Sequence, residues 1–269
     1  MAGSPSRPDS ETVKFPVHSF LSEIILTLYL TQDEVKSVLD MKSTFEAVES
    51  GFREMGNDNI EMPARVYLHF EKGVLIAMPA YMPGLGAAGT KLVTVHPGNK
   101  KDYGLPAVIA RIVLNSPENG VPLAIMDGTY ITALRTGAAG ATGIKYLSRE
   151  DSKEVGLCGL GVQGRSQVMG LMEVRPGVEK VKVYDIIPEA KDAFVKEMGA
   201  KYAKTKEEGV ITEEDIYAEM GEIVAGKKEG RTSPDEITLF KATGLAIQDV
   251  GTAHKVYTLA KEGGIGTEI

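Results

Sequence analysis

A chain of 269 residues with 43% hydrophobic and 25% charged side chains has the composition of a globular protein with room for one large or two modest cores. Its formal net charge of −7 offers no basic surface to a nucleic-acid backbone or an anionic membrane, so neither is expected as a partner. The single cysteine, Cys158, excludes an intramolecular disulfide and favours a reducing, cytoplasmic setting, and the four scattered histidines indicate no metal site.

Residues 1–13 are polar and rich in Ser and Pro, and we set 1–24 apart as a tail without function. The apolar run at 20–30 contains Glu23 and is too short to span a bilayer; its end, 25–30, predicts a strand. Thr31 with Glu34 forms a capping box. Ser43 with Glu46 forms a second, ahead of a helical series at Phe45, Val48, Phe52 and Met55 that stops at Gly56. Strand patterns follow at 65–70, 74–78, 91–95, 107–114 and 121–126, with turns at 71–73 and 115–120. Such a succession predicts an antiparallel or mixed sheet. Residues 129–147 predict a helix whose Ala and Gly content allows very close packing.

The next stretch carries the strongest signal. Residues 155–159 predict a strand, Gly159, Gly161 and Gly164 stand at G-x-G-x-x-G spacing, a helix follows, and a second strand at 181–185 ends in Asp185. The first glycine permits the tight turn, the second lets backbone approach a pyrophosphate, and the third lets helix and strand pack closely. The helix start presents free N–H groups to the phosphates, and Asp185 can accept both hydroxyls of an adenosine ribose. Its charge would repel a 2′-phosphate, so NAD is preferred to NADP. Cys158, inside the first strand, is expected to be buried and inert. Residues 188–198 predict another helix, Thr212 and Asp215 cap one carrying Ile216, Met220, Ile223 and Val224 up to Gly226, 233–236 is a turn, 237–240 a short strand and 245–261 a last helix.

The segments YLTQDEV (29–35), EMPARV (61–66), KLVTVHPGN (91–99), MDGTYITALRTGA (126–138), GLGVQG (159–164) and TGLAIQD (243–249) resemble the ornithine cyclodeaminase and mu-crystallin family, most closely its archaeal alanine dehydrogenase branch. The resemblance implies an α/β protein: a Rossmann-type NAD-binding domain, here 151–210, inserted in an α+β substrate and dimerisation domain made of 25–150 and 211–269, assembled as a homodimer. It places substrate contacts on Arg65, Lys91 and Arg135, with Lys91 also the catalytic proton-transfer group. Cofactor contacts fall on Arg135, Thr136, Gly159, Leu160, Gly161, Val162, Gln163, Gly164, Asp185 and Ile186. Physically, fixed guanidinium groups suit a carboxylate, and a lysine among apolar neighbours suits proton transfer. On the residues alone, Arg65 and Arg135 read as solvated charges and Lys91 as a strand-edge lysine.

Two departures stand out. Ile76 occupies a position that is basic in the alanine dehydrogenases. The nucleotide region is also short: two βαβαβ halves need far more than the roughly 55 residues here, so the Rossmann domain reads as truncated near 205–209. The resemblance puts the strand lining the nicotinamide and a catalytic aspartate in that gap. Three readings follow: an NAD-dependent amino-acid oxidoreductase such as alanine dehydrogenase, an ornithine cyclodeaminase or ketimine reductase using the same parts, or a nucleotide-binding homologue without turnover.

Overall fold

The computed structural model describes residues 26–199 and 218–269. The tail assigned to 1–24 and the cap assigned to Thr212 and Asp215 lie outside them. In chain order the elements are β1 (Leu28–Leu30), α1 (Gln32–Val38), α2 (Met41–Gly56), β2 (Val66–Phe70), β3 (Gly73–Met82), β4 (Ala87–Val95), α3 (Asn99–Tyr103), β5 (Val108–Asn115), β6 (Pro122–Asp127) and α4 (Thr129–Leu147). There follow β7 (Glu154–Cys158), α5 (Val162–Val174), β8 (Lys180–Tyr184), α6 (Pro188–Gly199), α7 (Met220–Val224), α8 (Ala246–Gly263) and β9 (Thr267–Glu268). Among the described residues no helix is long and apolar enough to cross a membrane.

Among the described residues seven strands form one mixed sheet in the order β2-β3-β4-β5-β6-β1-β9, antiparallel throughout except where β1 runs parallel to β6. Helix α8 packs against β3, β4 and β5, with α2 and α4 beside it. The core between these layers is Leu30, Val48, Phe52, Met82, Ile112, Met126, Ile131, Ile247 and their neighbours. Strand alternation decides which side chains enter it. In β4, Ala87, Lys91 and Val93 are buried while Leu92, on the other face, is exposed. Thr31 and Glu34 close the expected capping box on α1. The second expected box does not form: α2 begins one turn earlier, and Asp40 caps it by accepting from Ser43 N at 2.8 Å. The earlier start brings Met41 into the helix, where it is buried.

A second, two-stranded parallel sheet pairs β7 with β8, in register from Glu154 opposite Lys180 to Cys158 opposite Tyr184. It has its own core of Leu160, Val168, Leu171, Val181, Val183, Phe194 and Met198. Among the described residues β7 has no strand on its other side. Two expectations are corrected. Cys158 is exposed rather than buried, because strand alternation places it on the same face of β7 as the exposed Glu154 and Gly156. Residues 237–240 make no ladder, although exposure alternates as in a strand: Ile237 is 98% exposed, Leu239 is exposed, and Thr238 and Phe240 are half-buried. A strand needs a neighbour to satisfy its backbone groups. Instead the Thr238 hydroxyl donates to Leu147 O at 2.7 Å.

The two parts join through α4 and α5. A Cβ on Gly137 would collide with the Ser166 carbonyl, and one on Gly170 with the Gly137 carbonyl. The backbones therefore touch with no side chain between them.

Candidate active site

Lys91 lies at the middle of β4, flanked by β3 and β5, so it is not on a sheet edge. Its parity sends the side chain into the helix layer, where it is 1% exposed. Nζ stands 2.7 Å from Oδ2 of Asp249, a carboxylate in the first turn of α8 that is fully buried. Oδ2 meets no aligned hydrogen-bond donor, so the attraction there is chiefly between charges. Arg135, on α4, donates from Nε to Asp249 Oδ1 at 2.9 Å and from Nη1 to Gln248 Oε1 at 3.0 Å. Asp249 thus bridges the two buried cations, and the positive end of α8 favours its charge further.

Arg65 arrives from the segment before β2 and donates Nη2 to the carbonyl of Thr243, at 3.1 Å, and to that of Gly244. Gly244 has φ +73°. A Cβ there would stand 2.7 Å from Arg135 Nη1, so this turn demands glycine for conformation and for space alike. Arg65, Lys91 and Arg135 therefore meet around residues 243–249. Beside them a cavity of about 210 Å³ is lined by Met62, Pro63, Ala64, Arg65, Leu245 and Ala246. A larger recess of about 520 Å³, lined by residues such as Asp40, Tyr130 and Met172, shares none of the charged cluster.

Burial pushes the Lys91 amine down to about 8, with the Arg135 and Arg65 charges adding to the shift and Asp249 opposing it. A desolvated ammonium loses its proton more readily, and this one can exchange a proton near neutral pH. Three cations against one carboxylate leave the cluster electropositive, as recognition of an anionic acid requires.

The glycine loop has the geometry its spacing predicts. Gly159 takes φ +86°, in the left-handed region that glycine alone enters at little cost. A Cβ on Gly164 would strike the Gly159 carbonyl, so the third glycine sets the strand-to-helix distance. Among the described residues a Cβ on Gly161 would meet nothing within 4 Å, and no side chain caps α5. Leu160, itself buried, donates its N–H to Asp185 Oδ2 at 2.7 Å, and Ile187 N–H reaches Oδ1 at 2.9 Å. The Ile187 N–H and then the Leu160 N–H hold the Asp185 carboxyl below its ordinary range. Val162, Gln163 and Ile186 are exposed around this loop. Thr136 accepts at its carbonyl from Gln167 Nε2, at 3.1 Å, at the junction of α4 with α5.

Asp249 and Gln248 were absent from the residues singled out by sequence. A signal was present: Asp249 falls on the apolar stripe formed by Ala246, Ala253, Val256 and Ala260, and an acid in such a stripe must be buried with a cation.

The sequence profile of the ornithine cyclodeaminase/mu-crystallin family matches residues 26–204 and 196–264. The alanine dehydrogenase of Archaeoglobus fulgidus is 37% identical over 319 aligned positions, covering 90% of this chain and 98% of the relative. Among solved structures, an archaeal alanine dehydrogenase dimer with bound NAD superposes with a TM-score of 0.84 at 36% identity, covering 91% of this chain and 99% of that one. The Delta(1)-pyrroline-2-carboxylate reductase of Thermococcus litoralis, in complex with NADH and L-proline, gives 0.85 at 34%, covering 90% and 100%. With the profile matched over most of its length, the chain belongs to the ornithine cyclodeaminase/mu-crystallin family.

Proposed function

We propose that this chain carries the binding parts of an NAD-dependent oxidoreductase of small amino or imino acids, of the alanine dehydrogenase kind, which converts L-alanine, NAD and water to pyruvate, ammonium and NADH. The observation that carries the reading is the meeting of Arg65, Lys91 and Arg135 around residues 243–249, with Arg135 on the helix that packs directly on the glycine-loop helix. In this reading 25–150 and 211–269 form the substrate domain and 151–210 the nucleotide domain.

Bound NAD would supply a hydride acceptor. The residues present fit its adenosine and diphosphate end: among the described residues a Cβ on Gly161 would meet nothing within 4 Å, the N–H groups at the start of α5 have no side-chain cap, and Asp185 is ionised. Arg65 and Arg135 would hold the substrate carboxylate in their forked donors, and Lys91 would move a proton at the substrate nitrogen or carbonyl oxygen. An ornithine cyclodeaminase or ketimine reductase could use the same three residues. A homodimer is supported by β2, all five of whose residues are exposed, four of them the large apolar Val66, Tyr67, Leu68 and Phe70.

A second reading, a nucleotide-binding homologue with little turnover, draws on the edge of β7 and the segment 237–240, both unpaired among the described residues. The 319 aligned positions against 269 residues, and the two profile segments meeting at 196–204, are consistent with a missing second half. Orientation is worth about 7 to 11 kcal/mol of a barrier, so loss of a nicotinamide wall harms turnover more than adenine binding. We expect NAD to bind weakly and alanine to be oxidised slowly. The test is steady-state NADH formation with L-alanine, L-ornithine and L-proline, beside calorimetric NAD binding. Turnover near roughly 10 per second would overturn the second reading, and absence of NAD binding would overturn both.

A further inference from the structure

Arg165 follows the third glycine and stands in the first turn of α5, but its side chain does not extend into solvent. It folds back so that Nη1 donates to the carbonyl of Leu160 and, at 3.3 Å, to that of Gly161. Its other nitrogens are taken up by α6: Nε and Nη2 each lie 2.7 Å from Glu197 Oε2. The guanidinium carbon is 5.3 Å from the centre of the Phe194 ring, which is buried. One hydrogen bond and a second close charge contact to the same carboxylate oxygen, with a ring beneath, leave the group little freedom.

The peptide unit is planar and trans, so its C=O and N–H point in opposite directions. A Leu160 carbonyl drawn toward Arg165 turns the Gly161 N–H away from it. The Gly161 carbonyl does the same for the N–H of Val162. The side to which Gly161 would add a Cβ has no atom of the described residues within 4 Å.

We propose that Arg165 is a positioning residue for the diphosphate of the nucleotide: it fixes the Leu160 and Gly161 peptide planes with their N–H groups turned outward, and Glu197 and Phe194 hold the guanidinium in that pose. The inference rests on the reading of the glycine loop as a nucleotide site. It predicts that a flexible loop is made rigid before the ligand arrives, so that less ordering is left for binding to supply. An ordinary surface ion pair between α5 and α6 would predict no effect on the ligand.

The experiment is calorimetric titration of the full chain with ADP-ribose at fixed salt, on wild type, Arg165→Met, Arg165→Lys and Glu197→Gln, with thermal unfolding of each. The Met variant is expected to bind roughly 10- to 100-fold more weakly, the range of a charge-assisted hydrogen bond, with its unfolding temperature little changed. The Lys variant keeps the charge but cannot span two carbonyls and Glu197, so it recovers only part of that loss. Glu197→Gln weakens binding by a smaller factor, about 3-fold, and decides the matter if the Met variant does not fold. Unchanged affinity in the Met variant, or in Glu197→Gln should the Met variant not fold, or full recovery with Lys, overturns the inference and leaves the nucleotide reading standing. A wild type that fails to bind ADP-ribose overturns the nucleotide reading itself.

Discussion

The seven-stranded sheet and the β7–β8 pair are built from similar material but differ in how their surfaces are met. In the large sheet an ionised lysine can be buried at mid-strand, because β3 and β5 satisfy the β4 backbone and Asp249 satisfies the charge. In the small sheet Glu154, Gly156 and Cys158 are exposed, and the pair relies on the helices packed against it. Two strands alone are marginal. Closure by neighbours, more than strand composition, separates a site that can hold desolvated charges from one whose groups stay open to solvent.

The contrast is tested most severely by removing charge from each part. Asp249→Leu leaves Lys91 and Arg135 buried without a counter-charge, and we expect a loss of about 3 to 5 kcal/mol in urea unfolding. Glu154→Gln removes an exposed carboxylate that pairs with Lys180 and Lys182, and should leave the midpoint in place. Equal midpoint shifts would contradict the difference drawn here. Breaking the joint comes next. Gly137→Val pushes a side chain into the Ser166 carbonyl and should cost about 1 to 3 kcal/mol, splitting one unfolding transition into two. A single sharp transition in that variant would show that the parts do not depend on this contact. Hydrogen exchange gives a subtler measure: amides of β7 and β8 should exchange roughly 10-fold or more faster than those of β4 and β5. The smallest effect is in pH. Pyruvate should bind progressively more weakly as pH rises through about 8, where Lys91 loses its proton, by up to about tenfold per pH unit. Lys91→Met should flatten that profile.

These contrasts also explain what could be read without coordinates. Alternation and helical period marked the strands from 74 to 126 and the helices at 129–147 and 245–261, because each has a buried face, whereas β2 is exposed on both faces and was marked by its residue types alone. The expected strand at 237–240 has the right alternation and still fails, since period reports which side chains turn inward and not whether a neighbouring strand exists. The cap of α2 was misplaced by one turn because Asp40 and Ser43 both suit an N-cap, and the burial that chooses between them is tertiary. Arg65, Lys91 and Arg135 came only from family resemblance; by type and spacing they are ordinary surface charges. Asp249 shows the reverse, a residue whose position on an apolar stripe marked it as buried and which was passed over.

The glycine contact between α4 and α5 has a mechanical consequence. Arg135 and Thr136 ride on one helix, the glycine loop opens the other, and the two backbones touch at Gly137, Ser166 and Gly170, with Gln167 bonded across at Thr136. Interdigitated side chains could slide or change rotamer under load, but main chain against main chain has no such compliance. The guanidinium and the glycine loop must therefore travel as a single lever. Any opening of the charged cluster has to come from the elements facing that lever, such as the turn at Gly244 and the Arg65 segment.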